Sequence, residues 1–356
     1  MDRPVPLFSP LTQRGVTFRN RLGVSPMCMY ACEDGVAGDF HLVHLGGRAL
    51  GGFGLVIAEA TAVSPEGRIT GNDLGLWDDR HIAPLAKAVA LVRGFGAVAG
   101  VQLAHAGWKA GSKRPWDGHS AVLPPPHPGG WRPLGVTCEP FSPRHPVPMA
   151  IDRPAEIVAQ FAAAAERACR AGFDLVEIHA AHGYLLHSFH SPISNRRTDG
   201  YGGGFDGRTR LTREVVAAVR AVWPADRPLW IRFSCTDYVE GGWDVDQSVE
   251  LARVLRGLGV DCVDCSSGGI RMGVSIPTGP GYQVAFAERI RREAGVATAA
   301  VGEITTAAQA NDIVAAGRAD VVLLGRAALR EPHFPLRAAV ELQVKPPVPG
   351  MYERGF

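Results

Sequence analysis

Long hydrophobic runs are missing from this 356-residue chain, and none of its apolar stretches approaches the roughly 20 residues that a helix needs to cross a bilayer. The first residues, MDRPVPLFSPL, hold no continuous apolar segment of the kind a secretory leader carries. Neither sign of charge is in excess. With 37 Lys and Arg against 35 Asp and Glu, net +2 and well mixed, there is no basic surface for nucleic acid or an anionic membrane. Cysteine is sparse too. Seven residues, an odd number scattered over the whole length, make no disulfide framework and suit reduced thiols in a reducing compartment. Cys262 and Cys265 spell CxxC, but inside a strand-like run, GVDCVDCSS, where residues three apart face opposite ways. These absences lead us to expect a cytoplasmic protein with no nucleic-acid or membrane partner.

What the chain has instead is alternation. Short β-type runs near Leu22–Met27, Leu55–Ala60, Val98–Leu103, Leu175–His179, Leu229–Phe233, Cys262–Ser266, Thr298–Gly302 and Val321–Leu324 are separated by helical patterns such as Pro84–Arg93, Pro154–Ala171 and Asp246–Leu258. Eight βα units predict a parallel sheet closed into a single (β/α)8 TIM barrel spanning residues 1–356. In the helix after Asp152, that residue is expected to cap the open amides, Pro154 to sit in the first turn, and Ile157, Phe161, Ala164 and Ala168 to form the buried stripe before Gly172 ends it. Leu7–Phe18, with Pro10 and Gly15 between apolar pairs, predicts a small hairpin under the barrel. Residues 105–150, rich in Pro, Gly and Trp, form an insertion after the third strand. So long a stretch without regular structure reads as a lid, with Trp108, Lys109 and Trp116 nearest the pocket, or else as a plain surface loop.

The chemistry concentrates in one stretch, LVEIHAAHGYLLHSFHSPISNRRTDGYGG, Leu175–Gly203. It starts as a buried strand and within six residues delivers His179, His182 and Tyr184, where barrels place catalytic groups at strand ends. His-x-x-His is also a metal spacing, with Glu177, His187 and His190 nearby. A third ligand is unconvincing there, because no HExxH helix follows, and metal is the lesser reading. The loops after strands seven and eight carry Gly302, Gly325 and Arg326, a phosphate-binding arrangement common in barrels. Ser267–Gly269 follow strand six.

The run HAAHGYLLHSF with SPISNRRTDGYGG resembles the active-site strand and loop of the old yellow enzyme family of FMN-dependent ene-reductases. SPMCMY at Ser25–Tyr30, VQLAHAG at Val101–Gly107, the strand with Arg232, GEI at Gly302 and LLGRAAL around Arg326 fall in the family's order, and the ending YERGF resembles its thermophilic-like class. Trp108 departs from the more usual HAGRKA, and YGGGFDGR from YGGSFENR. The resemblance implies bound FMN, with NADPH or NADH as reductant and an α,β-unsaturated carbonyl or nitro compound as small-molecule substrate. It places Ser25, Pro26, Met27 and Ala60 under the flavin ring, Cys28 beside it, Gln102 and Arg232 at its pyrimidine edge, and Gly302, Gly325 and Arg326 at its phosphate. It makes His179 and His182 donors to the substrate oxygen and Tyr184 the proton donor, with Cys28 and Tyr30 on the substrate side. It also implies a homodimer or dimer-built tetramer in which the tail's Arg354 reaches the neighbouring subunit's site; a tail folded on its own barrel is the alternative. Outside the resemblance, the same phosphate loops fit a flavin-free isomerase or aldolase, although no assigned strand carries the lysine an aldolase needs, or a non-catalytic ligand-binding barrel.

Overall fold

Eight parallel strands pair in chain order and the last returns to the first: β3 (Leu22–Val24), β4 (Leu55–Ala62), β5 (Val98–Ala104), β8 (Leu175–Ala180), β9 (Leu229–Ser234), β10 (Cys262–Ser266), β11 (Ala297–Ala300) and β12 (Val321–Leu324) form a closed barrel. The protein is described here as a computed structural model covering residues 5–118, 123, 125–127 and 129–356; residues 119–122, 124 and 128 of the expected lid lie outside the described residues. Every residue of β4, β5, β8, β9, β10 and β12 is buried, because one face looks into the barrel and the other onto helices. That is why these strands read as continuous apolar runs.

The intervening helices are α1 (Asp39–Leu50), α2 (Ile82–Gly94), α3 (Pro154–Arg170), α4 (Leu185–His190), α5 (Phe205–Val222), α6 (Val245–Gly257), α7 (Val284–Ala294), α8 (Ala307–Ala315), α9 (Arg326–Arg330) and α10 (Phe334–Glu341). The inner cluster contains Ile57, Val98, Leu175, Trp230, Cys262 and Leu323. Cys265 belongs instead to the large cluster beneath the helices, so the two cysteines of the CxxC do face opposite ways. A hairpin of β1 (Leu11–Gln13) and β2 (Val16–Phe18) adds to the inner cluster. Phe18 stacks on Trp230 at 5.9 Å, and Trp230 Nε1 donates to Gln13 Oε1 at 2.7 Å. Truncating Trp230 to alanine would cost on the order of 3–5 kcal/mol.

Three expectations need correction. The first strand stops at Val24: Ser25 N still donates to Leu324 O at 3.0 Å, but Pro26 has no N–H to continue the ladder. The seventh strand ends at Ala300, and Gly302 takes φ +118°, outside extended backbone. Asp152 does not cap α3, whose N-cap is Arg153 with no side-chain cap hydrogen bond. Pro154 at the first position already fixes φ and has no amide to satisfy. Within the insertion, β6 (Leu134–Gly135) pairs with β7 (Met149–Ala150), and Trp131 Nε1 donates to Glu66 O at 2.9 Å.

Candidate active site

At the C-terminal ends of the strands lies a cavity of about 520 Å³ lined by Ser25, Pro26, Met27, His182, Arg232, Ser266, Gly302, Gly325 and Arg326, among others. Residues from six separate strand ends therefore converge because the barrel closes, although they span three hundred positions of sequence. Gly325 opens onto free space: a Cβ there would meet only Met27 Sδ, at 3.7 Å. Arg326 is largely exposed and pairs with Glu303 at 3.2 Å, so a phosphate reaching it would compete with that carboxylate.

The histidine pair sits where β8 ends. His179 Nδ1 accepts from Ala181 N at 3.2 Å, which puts its ring proton on Nε2, and Nε2 stands 3.3 Å from His182 Nδ1. His182 has φ +60° and is held by its amide donating to Ser234 Oγ at 2.8 Å. Its Nε2 lies 2.7 Å from Ser266 Oγ. His179 Nε2–H therefore donates to His182 Nδ1, which leaves the His182 proton on Nε2, donating to Ser266 Oγ. That hydroxyl also accepts from Gln283 Nε2 at 3.3 Å, its two lone pairs serving both donors. Burial, and then the nearby Arg232, push both imidazoles well below the ordinary histidine range, so each is held as a neutral donor.

Under the cavity the strand registers bring polar groups face to face: Gln102 opposite Glu177, His179 opposite Arg232, Arg232 opposite Asp264. Gln102 Nε2 donates to Glu177 Oε1 at 2.7 Å. Arg232 Nε lies 3.0 Å from Asp264 Oδ2, close enough to pair as charges yet too misaligned for a directed hydrogen bond. Glu177 Oε2 and both Asp264 oxygens are likewise without hydrogen bonds among the described residues. Burial pushes both carboxyls up, with Asp264 adding to the effect on Glu177 and Arg232 opposing it on each. This floor suits a polar, hydrogen-bonding ligand rather than an apolar one.

Beside the cavity, Ala60, Ile69, Ala104, Ala106 and Ala110 pack with Cys28, Tyr30 and Tyr184. Tyr184 precedes α4, and its ring meets His179 edge-on at 5.0 Å. Burial holds its phenol well above the usual range, as it does the Cys28 thiol and the Tyr30 phenol, so all three keep their protons. Tyr30 has φ +52° and lies 5.9 Å from Trp116. The loop carrying Cys28 and Tyr30 is tied down by Glu59, the residue at the β4 bulge, whose Oε2 accepts from Met29 N at 2.8 Å while Oε1 meets His41 Nε2 at 3.2 Å.

Of the residues expected from sequence, Ser25, Pro26, Met27, His182, Arg232, Gly302, Gly325 and Arg326 line the cavity; Gln102 and His179 are buried and do not line it, His179 meeting it through His182; Cys28, Tyr30, Ala60 and Tyr184 pack in the cluster with Ala104 and Ala106. Arg354 is not brought to it: its 3-10 turn, Gly350–Gly355, buries no residue. Sequence reasoning missed Glu59, Asp264, Ser266 and the buried pair of His187 with Asp237, 3.0 Å apart, which anchors α4. A charged residue inside an apolar strand, as Glu59 and Asp264 are, was the available signal. No group of three or more His, Cys, Asp or Glu suited to a metal occurs among the described residues.

Residues 6–345 match the NADH:flavin oxidoreductase / NADH oxidase family. The chain is 44% identical over 352 residues to the NADPH dehydrogenase of Bacillus subtilis (strain 168), covering 98% of this chain and 99% of that one. It is 46% identical over 355 residues to the NADPH dehydrogenase of Geobacillus thermodenitrificans, covering 98% of both. Among solved structures, morphinone reductase is similar with a TM-score of 0.78 at 28% identity, over 96% of this chain and 90% of that one. Its complex with tetrahydroNAD gives 0.78 at 27% identity, over 97% and 93%.

Proposed function

Because the chain belongs to the NADH:flavin oxidoreductase / NADH oxidase family, we propose that it is an FMN-containing, NAD(P)H-dependent reductase of activated C=C bonds in α,β-unsaturated carbonyl and nitro compounds. The observation that carries this reading is the pair of neutral imidazoles, 3.3 Å apart with Tyr184 against them, at the edge of a cavity with a polar floor. The cavity residues fit FMN. Arg232 would hold the pyrimidine side with Gln102, whose amide keeps one N–H and its carbonyl after serving Glu177. Gly302, Gly325 and Arg326 would take the phosphate, and Ser25–Met27 and Ala60 would support the ring. Bound FMN would supply the hydride chemistry, with NAD(P)H as reductant and the substrate's β-carbon as acceptor.

The protein's own groups do the rest. His179 and His182 donate to the substrate oxygen and withdraw electron density from Cβ, a role for preorganised donors aimed at developing charge. Being neutral already, they lose no proton to a bound oxyanion. Tyr184, kept protonated by burial, gives its proton to Cα. Cys28, held as a thiol, packs beside the ring as a polarizable neighbour, and Tyr30 orients the substrate oxygen. The insertion closes over the site through Trp131 on Glu66 and Trp116 near Tyr30. The exposed aromatics of the tail, Tyr352 and Phe356, support docking of Arg354 into a second copy, making a homodimer or dimer-built tetramer. A flavin-free isomerase or aldolase does not fit the family.

Steady-state assay with NADPH and 2-cyclohexenone, with product analysis, tests the function. Saturated ketone formed in proportion to NADPH consumed is the expected result; NADPH consumption with the alkene intact would contradict it.

A further inference from the structure

The turn that carries His182, Gly183 and Tyr184 is gripped from outside by two neighbours in sequence, Trp108 and Lys109. Trp108 Nε1 donates to Gly183 O at 2.7 Å; Lys109 Nζ donates to His182 O at 2.6 Å and to Gly269 O at 2.5 Å. The backbone closes the same contact, since Leu185 N donates to His105 O at 3.0 Å. On its other side the turn touches the loop after β10 directly: a Cβ on Gly183 would lie 2.2 Å from Gly269 O, and one on Gly269 2.6 Å from the His182 backbone. Gly183 and Gly269 take positive φ without strain, but His182, at φ +60°, adopts a backbone that a residue with a Cβ does not favour and that neighbours must hold. Phe141, from the insertion, covers the arrangement, 4.2 Å from Lys109 Nζ and edge-on to Trp108 at 5.5 Å.

We propose that Trp108 and Lys109 are positioning residues that clamp the carbonyls of His182 and Gly183 and thereby fix the spacing of the His179–His182 donors and Tyr184 for the reductase reaction. This rests on the functional reading above. Burial pushes the Lys109 amine down to about 7. Even the neutral amine keeps two hydrogens for its two carbonyl partners, and the clamp holds in both protonation states. Neither residue needs to touch substrate. Their effect arises because displacing reacting groups by about 1 Å is enough to cost roughly a hundredfold in rate.

The test uses FMN-loaded enzyme and three substitutions. Lys109→Met keeps the length of the stem and removes the donors. Trp108→Phe keeps a ring against Phe141 and removes the N–H. Trp108→Arg returns a donor at that position. Affinity for p-hydroxybenzaldehyde is read from the flavin spectrum, alongside FMN content, melting temperature and kcat for 2-cyclohexenone. Lys109→Met is expected to keep its FMN while ligand affinity and kcat each fall at least about tenfold. Trp108→Phe should move the same way by less, and Trp108→Arg should recover part of the loss. Affinity and kcat within twofold of wild type in Lys109→Met overturn the clamp. If Lys109→Met does not hold FMN, Trp108→Phe decides, and an unchanged affinity there overturns it. Wild-type protein that binds FMN but reduces no enone refutes the functional reading instead, a failure distinguishable because it needs no variant.

Discussion

Replacing Tyr184 by Phe removes a single oxygen from the centre of the site. The ring packs with Ala60, Ala104 and Tyr30 and edge-on to His179, contacts that phenylalanine retains. The Tyr184 hydroxyl makes no hydrogen bond among the described residues, so the fold should lose little, within about 0.5 kcal/mol as for changes that break no network. The catalytic loss should be large. A half-buried phenol whose ionisation is pushed well above its usual range by desolvation first, then by Cys28 and Tyr30, keeps its proton throughout neutral and mildly alkaline pH and gives it up only to a strong base such as the developing carbanion. Losing a positioned general acid costs about two to four orders of magnitude. Only the enone half of the cycle needs that proton. In anaerobic stopped-flow, bleaching by NADPH should therefore survive in Tyr184→Phe, while recolouring by enone slows by that factor. The wild-type recolouring rate should show no loss attributable to Tyr184 between pH 6 and 9. Equal slowing of both halves would refute the reasoning and leave Tyr184 as a ligand-positioning group.

Four further expectations follow. His179→Ala should lower enone turnover by about a hundred- to a thousandfold and weaken phenol binding, whereas chelators should change nothing; activity lost on chelation and regained with metal would contradict it. Arg232→Ala should weaken FMN by about 1.5–3 kcal/mol, a charged hydrogen bond's usual worth, as measured by flavin titration of apoprotein. His44 is pushed down to about 4 by burial and then by Arg48 and His41; because the unfolded chain takes up that proton below pH 6.5 and the fold does not, its stabilising share is complete above 6.5 and falls by about 1.3 kcal/mol between pH 7.5 and 5.5. His44→Gln should be spared that loss in denaturant titrations, and an identical stability difference at both pH values would refute it. Deleting the last five residues should raise KM for enones with FMN still bound, whereas an unchanged KM would leave the tail without a role at the site.

How much could be read in advance depended on range along the chain. The barrel was legible because strands buried on both faces read as near-continuous apolar runs, as in Val321–Leu324. Their ends were less so, since Pro26 and Gly302 act locally against an otherwise strand-like run. No helix was assigned at α4, yet all six of its residues are buried: Leu185, Leu186 and Phe189 join the main core, while His187 pairs with Asp237 and His190 Nε2 lies 2.6 Å from Thr212 Oγ1. Eight of the cavity's lining residues, Ser25, Pro26, Met27, His182, Arg232, Gly302, Gly325 and Arg326, were legible through the family resemblance, whereas Ser266 was not. Nor was the cavity's floor, because Glu177, Arg232 and Asp264 become neighbours only through strand register. The grip of Lys109 on His182, 73 residues away, is equally a product of barrel closure.

The central claim is tested most directly by following the flavin through one turnover without oxygen. Purified protein should carry one non-covalent FMN per chain; NADPH should bleach its visible absorption, and 2-cyclohexenone added next should restore it with one equivalent of saturated ketone. Protein that cannot be loaded with FMN while folded, or whose reduced flavin is left unchanged by enones and nitroalkenes alike, would contradict the account.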